Sequence, residues 1–461
     1  MKITDMKLYF MPHRFLLLKI ETDAGICGWG EPLVEGRAAT LEASVNEWRD
    51  YFIGKDPLRI EEHWQTMYRR AFYRGGPVLM STIAGIDQAL WDIKGHYYHA
   101  PVHEMLGGRV KDKIKVYRSI HGDTPEEVVA DAKLAVKEGY TVIKTSPTDP
   151  THYVDTLQSV NKLVEKVGAI RDAIGNNIDM AIDFHGRIHK PMAKVLVREL
   201  DQFHPLFMEE PVLPENKEAL REVAKYTSAP IAIGERMYSR WDYKSLFEQG
   251  YVDIIQPDLS HAGGISEARR IAAMAEAYDV AVAPHCPLDA IAFSSCIQMG
   301  AATPNLVLQE QSIDIHDASD TNPRINFLKN KEVFHFENGF VEIPEGPGLG
   351  VEVDEERSFH NAMHDAYYTA QVLRKLPHPM DVLRYEEQPR KLCHNDRRSR
   401  FRVTDLVPSV REALESEALA APKCPTCGQP TKRQTALIPQ APGKYVALSR
   451  CQQHGQMFVK I

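Results

Sequence analysis

The chain has no apolar run that could span a membrane. Its 461 residues include no stretch near the roughly 18 consecutive apolar residues that a transmembrane helix requires. Residues 1–21 carry an apolar patch interrupted by charges, which is typical of a strand pair and not of a secretion signal. We therefore expect a cytoplasmic protein with no membrane partner.

The chain also has few cysteines and no excess of positive charge. The seven cysteines are an odd number, and three of them lie in the last 40 residues, so a disulfide framework is not expected. The net charge of −8 gives no indication of a nucleic-acid surface. Hydrophobic residues make up 43% and charged residues 26% of the chain, as in ordinary globular proteins. The composition is that of a globular protein, and we expect it to form a homo-oligomer.

Six acid or base residues follow short apolar runs at a nearly constant spacing. The steps between them are 26, 26, 23, 27 and 25 residues, about the length of a strand, a helix and two loops. Helical patterns lie between the runs, for example at 192–200 and 267–278. This spacing predicts an α/β fold, a TIM-type β/α barrel with its chemistry at the C-terminal strand ends. The six residues are Asp183, Glu209, Glu235, Asp258, His285 and Glu310.

Five segments are predicted along the chain. The barrel is expected to begin with strands at 114–119 and 140–144, and residues 389–402 hold six basic residues and one acid, which is typical of a solvated linker. The segments are an α+β capping domain (1–113), the catalytic barrel (114–330), a return segment packing on the capping domain (331–375), a basic linker (376–419) and a small zinc-ribbon-like tail (420–461).

Three of the six residues end successive strands, so their carboxylates should converge. Asp183, Glu209 and Glu235 offer hard oxygen ligands, which favour Mg²⁺ over zinc. Glu209 is preferred to Glu210 because side chains alternate between the two faces of a strand. The structural alternative, that these acids cap the helices that follow, explains one such acid more readily than three in step.

Two histidines also fall at strand ends. His185 comes two residues after Asp183, so strand alternation should direct both side chains to one face. His285 and Asp258 end neighbouring strands, and a carboxylate that accepts a hydrogen bond from an imidazole raises its basicity, as a general base requires. Glu310 is a candidate to hydrogen-bond a substrate oxygen, with a purely structural role as the alternative.

The motifs at these positions resemble the mandelate racemase subgroup of the enolase superfamily, and within it the D-galactonate dehydratases. The resemblance extends from residue 1 to about 355 and includes FYRGGP (72–77) in the first domain. It rests on DFHGR (183–187), MEEP (208–211), GERM (234–237), QPDLSHAGGI (256–265), APHCPL (283–288) and LQEQS (308–312).

This resemblance implies a reaction and a role for each residue. It implies that Asp183, Glu209 and Glu235 bind Mg²⁺ and that a sugar acid is dehydrated to a 2-keto-3-deoxy acid. His285, paired with Asp258, would remove the proton α to the carboxylate. His185 would then protonate the departing 3-hydroxyl.

The end of the second strand bears on the type of reaction. Racemases of this subgroup carry Lys-x-Lys there, whereas this chain has Lys144-Thr145-Ser146, and a single base with a histidine acid favours β-elimination. Galactonate dehydratases have Leu-Asn-Gly after that lysine, so Thr145-Ser146-Pro147 leaves the identity of the sugar acid open. A racemase or epimerase on the same scaffold remains the alternative, as does a non-catalytic relative with a zinc-ribbon interaction module.

The tail has the spacing of a structural zinc site. The pairs Cys424/Cys427 and Cys451/His454 are separated by 23 residues, which suits four ligands around a tetrahedral zinc ion. KYVALSR and QMFVK nearby read as short strands. The alternative is a tail whose cysteines are incidental.

Overall fold

The computed structural model has two compact units, residues 1–364 and 365–461. Within the described residues, no helix has both the length and the apolar character needed to cross a membrane. The described residues are 1–11, 15–70, 72–147, 151–355, 384–385, 401–403, 429, 432–433, 438–441, 444–452 and 455–460.

The first domain is a three-stranded antiparallel sheet covered by helices, as the sequence predicts. The long helix α4 packs closely on β3, and this packing requires glycine at positions 28 and 30. A β-carbon at Gly28 or Gly30 would collide with the backbone of the helix at Ala89 or Gly85. The elements are β1 (Ile3–Met11), β2 (Phe15–Thr22), β3 (Cys27–Gly30), α1 (Ala38–Asn46), α2 (Arg49–Phe52), α3 (Ile60–Arg70), α4 (Pro77–Tyr98) and α5 (Val102–Met105).

Eight parallel strands form the second domain, one at each of the eight predicted positions. The strands from β4 to β10 pair in order, and the last strand, β11, pairs with the first, β4. An isolated parallel bridge between Val282 and Leu306 joins β10 to the residues before β11, so the barrel closes. The elements are β4 (Lys113–Ile120), α6 (Pro125–Lys137), β5 (Val142–Thr145), α7 (Leu157–Ile174), β6 (Asp179–Asp183), α8 (Lys190–Leu200), β7 (Met208–Glu209), α9 (Leu220–Val223), β8 (Ile231–Ile233), α10 (Arg240–Gln249), β9 (Ile254–Ile255), α11 (Gly264–Glu276), β10 (Ala281–Val282), α12 (Ala290–Ala301) and β11 (Gln309–Gln311).

The barrel interior is a layer of buried side chains from all eight strand positions. Ala181 and Phe207 belong to it, and two residues later the chain reaches Asp183 and Glu209. Alternation therefore directs both carboxylates inward at the C-terminal end of the barrel. The layer consists of Tyr117, Val142, Ala181, Phe207, Ala232, Ile254, Ala283 and Leu308.

The return segment contacts both domains, whereas the sequence predicted packing on the cap. A hairpin of β12 (Phe336–Glu337) and β13 (Phe340–Glu342) pairs antiparallel with the first residues of β4. Those residues precede the barrel registers of β5 and β11, so they present an edge that a further strand can pair. Farther on, the segment does reach the cap, where the Leu349 N–H donates to Asp92 Oδ1 at 2.8 Å.

The second unit contains a six-stranded sheet, and its two longest strands confirm the predicted strands at KYVALSR and QMFVK. Two short strands, β14 and β15, lie in the range predicted to be a basic linker. The alternation Phe-Arg-Val at 401–403 is the strand signal that the basic composition obscured. The strands are β14 (Arg384–Tyr385), β15 (Phe401–Val403), β16 (Lys432–Arg433), β17 (Ile438–Ala441), β18 (Lys444–Cys451) and β19 (Gly455–Lys460).

The predicted zinc ligands lie outside what the structure describes. Cys424, Cys427 and His454 are not among the described residues, and Cys451 is described only as the last residue of β18.

Candidate active site

Two of the predicted carboxylates lie side by side at the ends of neighbouring strands. Asp183 ends β6 and Glu209 ends β7, and the two residues are aligned in the parallel register. Both side chains are fully buried. Two buried carboxylates this close are unfavourable unless positive charge balances them.

Lys144, at the end of β5, supplies part of that charge. Its Nζ lies 3.1 Å from both carboxylate oxygens of Glu209, 2.9 Å from Glu310 Oε1 and 3.7 Å from Asp183 Oδ2. Lys144 is not among the site residues predicted from the sequence. The signal was present, because Lys144 follows the interior residue Val142 by two positions, as a strand-end site residue should.

The pKa values of the two carboxyl groups shift in opposite directions beside Lys144. Burial raises the pKa of Asp183, but Lys144 and His185 outweigh that effect and hold the pKa below its usual value. Burial and then the charge of Asp183 raise the pKa of Glu209 above its usual value, despite Lys144. We call Asp183, Glu209 and Glu235 the carboxylate row. The raised pKa of Glu209 beside the charged Asp183 favours binding of a further cation.

Glu235 faces the carboxylate row because the backbone turns at Gly234, and not because of strand alternation. Ala232 faces the barrel interior, so strict alternation would direct Glu235 outward. Gly234 adopts φ +152°, and a β-carbon there would collide with the Tyr243 hydroxyl and the Gln256 backbone. This turn places Glu235 Oε2 3.4 Å from His285 Nε2, on the site side of the chain.

No preassembled ligand cage is present in the described part of the chain. There, no three His, Cys, Asp or Glu side chains already surround a common point as metal ligands. Asp183 and Glu209 face Lys144, while Glu235 faces His285.

His185 reaches the site through a tight turn. β6 ends at Asp183, and the carboxylate Oδ1 of that residue accepts a hydrogen bond from the His185 N–H at 2.7 Å. His185 has φ +51°, in the left-handed region, so the strand alternation assumed in the sequence analysis is not what orients it. The turn places His185 Nε2 3.0 Å from Asp183 Oδ2, with 38% of its side chain exposed.

His285 and Asp258 form the contact that the sequence predicts. His285 Nδ1 lies 2.7 Å from Asp258 Oδ2, while the other oxygen, Oδ1, accepts the Ser260 N–H at 2.6 Å. His285 Nε2 is directed toward the carboxylate row. Burial lowers the pKa of His285, but the carboxylates of Glu235, Glu310 and Asp258 outweigh burial and raise it well above its usual value.

Glu310 is held from two directions. It accepts hydrogen bonds from Lys144 and, through Oε2, from the Cys286 N–H at 3.1 Å. Its Oε2 is 3.8 Å from His285 Nε2. These contacts suit a residue that orients its neighbours, and they also place an acceptor beside the histidine.

Comparisons with known proteins identify the family of both domains. Residues 127–357 match the enolase C-terminal domain-like model, and residues 10–107 match the mandelate racemase / muconate lactonizing enzyme N-terminal domain model. Over 355 residues the chain is 52% identical to a D-galactonate dehydratase of Ralstonia pickettii (strain 12J), covering 77% of this chain and 93% of that protein.

Solved structures of related proteins are also similar to this chain. A member of the enolase superfamily from Salmonella Typhimurium is 31% identical with a TM-score of 0.72, covering 77% of this chain and 97% of the other. The 3,6-anhydro-D-galactonate cycloisomerase of Zobellia galactanivorans is 31% identical with a TM-score of 0.69, covering 77% and 98%.

Proposed function

The chain belongs to the mandelate racemase / muconate lactonizing enzyme family of the enolase superfamily, and on that premise we propose that it is a Mg²⁺-dependent sugar-acid dehydratase. The reaction removes the proton α to the carboxylate of an aldonate to form an enediolate, which expels the 3-hydroxyl as water. The enol that remains takes up a proton at C3 and loses its hydroxyl proton, which gives a 2-keto-3-deoxy acid. The relative from Ralstonia pickettii supports the reaction class, a hydro-lyase acting on a sugar acid.

The observation that carries this proposal is the separation of two histidines along the carboxylate row. His285 contacts Glu235 at one end of the row and is held by Asp258, as a general base requires. His185 contacts Asp183 at the other end and is more exposed. One base and one separate acid are what an elimination requires.

A divalent cation fits the donor set. Asp183, Glu209 and Glu235 provide only carboxylate oxygen, which is the chemistry that Mg²⁺ prefers. The raised pKa of Glu209 supports the need for more positive charge than Lys144 supplies. When bound, such an ion supplies Lewis-acid stabilisation of the negative charge that develops on the substrate carboxylate.

The protein's own residues account for the proton movements. With the negative charge of Glu235 and Glu310 offset by a bound cation, the pKa of His285 would fall and Nε2 would accept the α-proton, while Asp258 stabilises the imidazolium through Nδ1. His185 gives a proton to the departing hydroxyl and is held in place by its backbone bond to Asp183. Glu310, fixed by Lys144 and Cys286, is placed to hydrogen-bond a substrate oxygen.

The substrate is a galactonate-like aldonate whose identity depends on the second strand end. Ser146 Oγ lies 3.4 Å from Asp183 Oδ2, so this residue is tied to the carboxylate row, and Pro147 follows it. Ser146 also occupies the place of a racemase's second lysine, which argues against the racemase or epimerase alternative. The intact acid and base groups argue against a non-catalytic relative.

A screen of acid sugars tests the proposal. Purified protein with Mg²⁺ is incubated with a library of aldonates that includes D-galactonate, and 2-keto-3-deoxy products are measured, with His285→Asn as the inactive control. Turnover of one or more aldonates is expected. Deuterium at C2 of recovered substrate without dehydrated product would instead establish the epimerase.

For residues 420–461, we propose a structural zinc site on the basis of the sequence alone. Cys424, Cys427, Cys451 and His454 have zinc-ribbon spacing, and this supports one structural Zn²⁺ in residues 420–461.

A further inference from the structure

Asp258 is shared by two histidines, of which the proposed mechanism uses only one. His285 Nδ1 is 2.7 Å from Asp258 Oδ2, and His261 Nε2 is 3.7 Å from the same oxygen. The two imidazole rings lie 6.5 Å apart, centroid to centroid. His261 is buried, with 8% of its side chain exposed, and its polar contacts are with Asp258, Glu35 and Ser81.

The other contacts of His261 come from the capping domain. Its Nδ1 lies 3.1 Å from Ser81 Oγ on α4. Its Nε2 lies 3.4 Å from Glu35 Oε2, in the turn between β3 and α1. His261, a barrel residue beside the proposed base, is therefore bound to the capping domain through Ser81 and Glu35.

Glu35 belongs to a short stretch, residues 31–36, that we call the cap segment. Its first residue, Glu31, is fully buried and accepts the backbone N–H groups of Asp289 and Ala292 at 3.0 Å each. These groups lie at the N-terminus of α12, so Glu31 fastens the segment beside the seventh strand. Glu35 fastens its other end beside the sixth strand, with about half of its side chain still exposed.

Charge complements this geometry. Burial lowers the pKa of His261, but Asp258 and Glu35 outweigh burial and raise it to about 9, even with His285 nearby. His261 is therefore a cation between two carboxylates at neutral pH.

We propose that His261 is a positioning residue that joins Glu35 of the cap segment to Asp258 of the barrel, so that the cap segment is held closed beside the proposed base. The benefit for catalysis rests on the proposed dehydratase function, whereas the joint itself does not. Since Glu31 anchors one end independently, loss of the joint should free only the end of the segment near Glu35.

Hydrogen exchange of full-length protein measures the joint directly. Glu35→Gln and His261→Gln are each expected to raise the opening of the backbone amides at 33–37 by about three-fold, the scale of a partly exposed ion pair. The double variant should open no more than the larger single, because both changes break the same contact. Glu47→Gln, at the exposed end of α1, is the matched control and should exchange as wild type.

A pH series adds a second readout. In wild type, protection at 33–37 should fall as the pH rises through about 9, because His261 then loses its proton. Glu35→Gln should lack this step. The charged and titratable groups that face His261 are Glu35, Asp258 and His285.

Turnover separates the joint from the proposed function. With an accepted sugar acid, Glu35→Gln should raise KM about three-fold and change kcat less than KM. Unchanged exchange in Glu35→Gln, additive effects in the double variant, or equal opening in Glu47→Gln would overturn the joint. If wild type turns over no sugar acid, the proposed function fails while the exchange data still decide this proposal.

Discussion

Lys144 Nζ lies 3.1 Å from both carboxylate oxygens of Glu209, although the strands that carry the two residues are separated by β6. The lysine is almost fully buried, and it also contacts Glu310 at 2.9 Å. Burial lowers the pKa of Lys144, but the carboxylates of Glu209, Glu310 and Asp183 raise it well above its usual value. This ammonium is the positive charge that the carboxylate row depends on when no other cation is bound.

Replacement of Lys144 should therefore destabilise the metal-free protein. Lys144→Met leaves buried carboxylates uncompensated, and we expect the free energy of unfolding to fall by about 3 kcal/mol in EDTA. Urea denaturation measures this, and added Mg²⁺ should restore part of the loss. Lys113→Met, which removes a half-exposed lysine 3.6 Å from Glu342, should cost less than about 1 kcal/mol. Equal stability of Lys144→Met and wild type would contradict the role assigned to Lys144.

The two histidines should separate proton exchange from dehydration. His285→Asn should lose both the dehydration of a sugar acid and the exchange of its C2 proton with solvent, because no other residue is assigned as the carbon base. His185→Asn should keep some exchange while losing dehydration, since the enediolate still forms. The measurement is deuterium incorporation at C2 alongside product formation. Dehydration by His185→Asn at the wild-type rate would show that the leaving-group acid is another residue.

Removal of divalent metal should abolish turnover and leave the fold intact. We expect EDTA-treated protein to be inactive and to recover activity with Mg²⁺, because the proposed enediolate needs a cation to carry its charge. Glu235→Gln should not recover, while its circular dichroism spectrum stays as in wild type, because Glu235 lies at a strand end and 14% of its side chain is exposed. Full activity in metal-free protein would refute the metal dependence.

The barrel could be predicted from sequence because its signals are local. Each apolar run is short, and the strand-end residue follows it at a fixed step, so Asp183, Glu209, His285 and Glu310 could be placed on the inner face from alternation alone. The structure has a strand at each predicted position. The contact between His285 and Asp258 followed from the adjacency of the sixth and seventh strands.

The remaining features of the site depend on turns and on contacts distant in sequence. Glu235 and His185 face the site through a glycine at φ +152° and a left-handed turn, which alternation does not predict. His261 lies three residues after Asp258, and its partner Glu35 is more than 200 residues away in sequence. Lys144 carried the alternation signal, but its three carboxylate contacts are visible only in three dimensions.

Asp87 should make stability depend on pH at the junction of cap and barrel. This α4 residue accepts hydrogen bonds from Ser266 Oγ at 2.6 Å and from the Ser266 N–H at 2.9 Å, at the start of α11. Burial raises its pKa from 3.8 to about 7. Between those values the unfolded chain releases the proton and the folded protein keeps it, so the contribution of Asp87 to stability is lost as the pH rises.

Urea denaturation from pH 4 to 8 measures this effect by difference. The stability of wild type relative to Asp87→Asn should fall by about 3 kcal/mol between pH 4 and 7 and then level off. Asp112→Asn is the control, because that side chain is 97% exposed and its removal should leave the curve parallel to wild type. Parallel curves for Asp87→Asn as well would show that the buried carboxyl titrates normally.

The C-terminal segment should hold zinc and be dispensable for the reaction. Full-length protein, treated to exchange the barrel metal for Mg²⁺, should retain about one equivalent of zinc, and a Cys424→Ser/Cys427→Ser variant should retain none, because a tetrahedral site needs all four ligands. Deletion after residue 375 should leave kcat and KM within about two-fold, since every group assigned to the reaction lies within the compact unit 1–364. Elemental analysis and steady-state kinetics check the two parts. Equal zinc content in the serine variant would mean that these cysteines are incidental, and loss of turnover on deletion would mean that the tail contributes to the site.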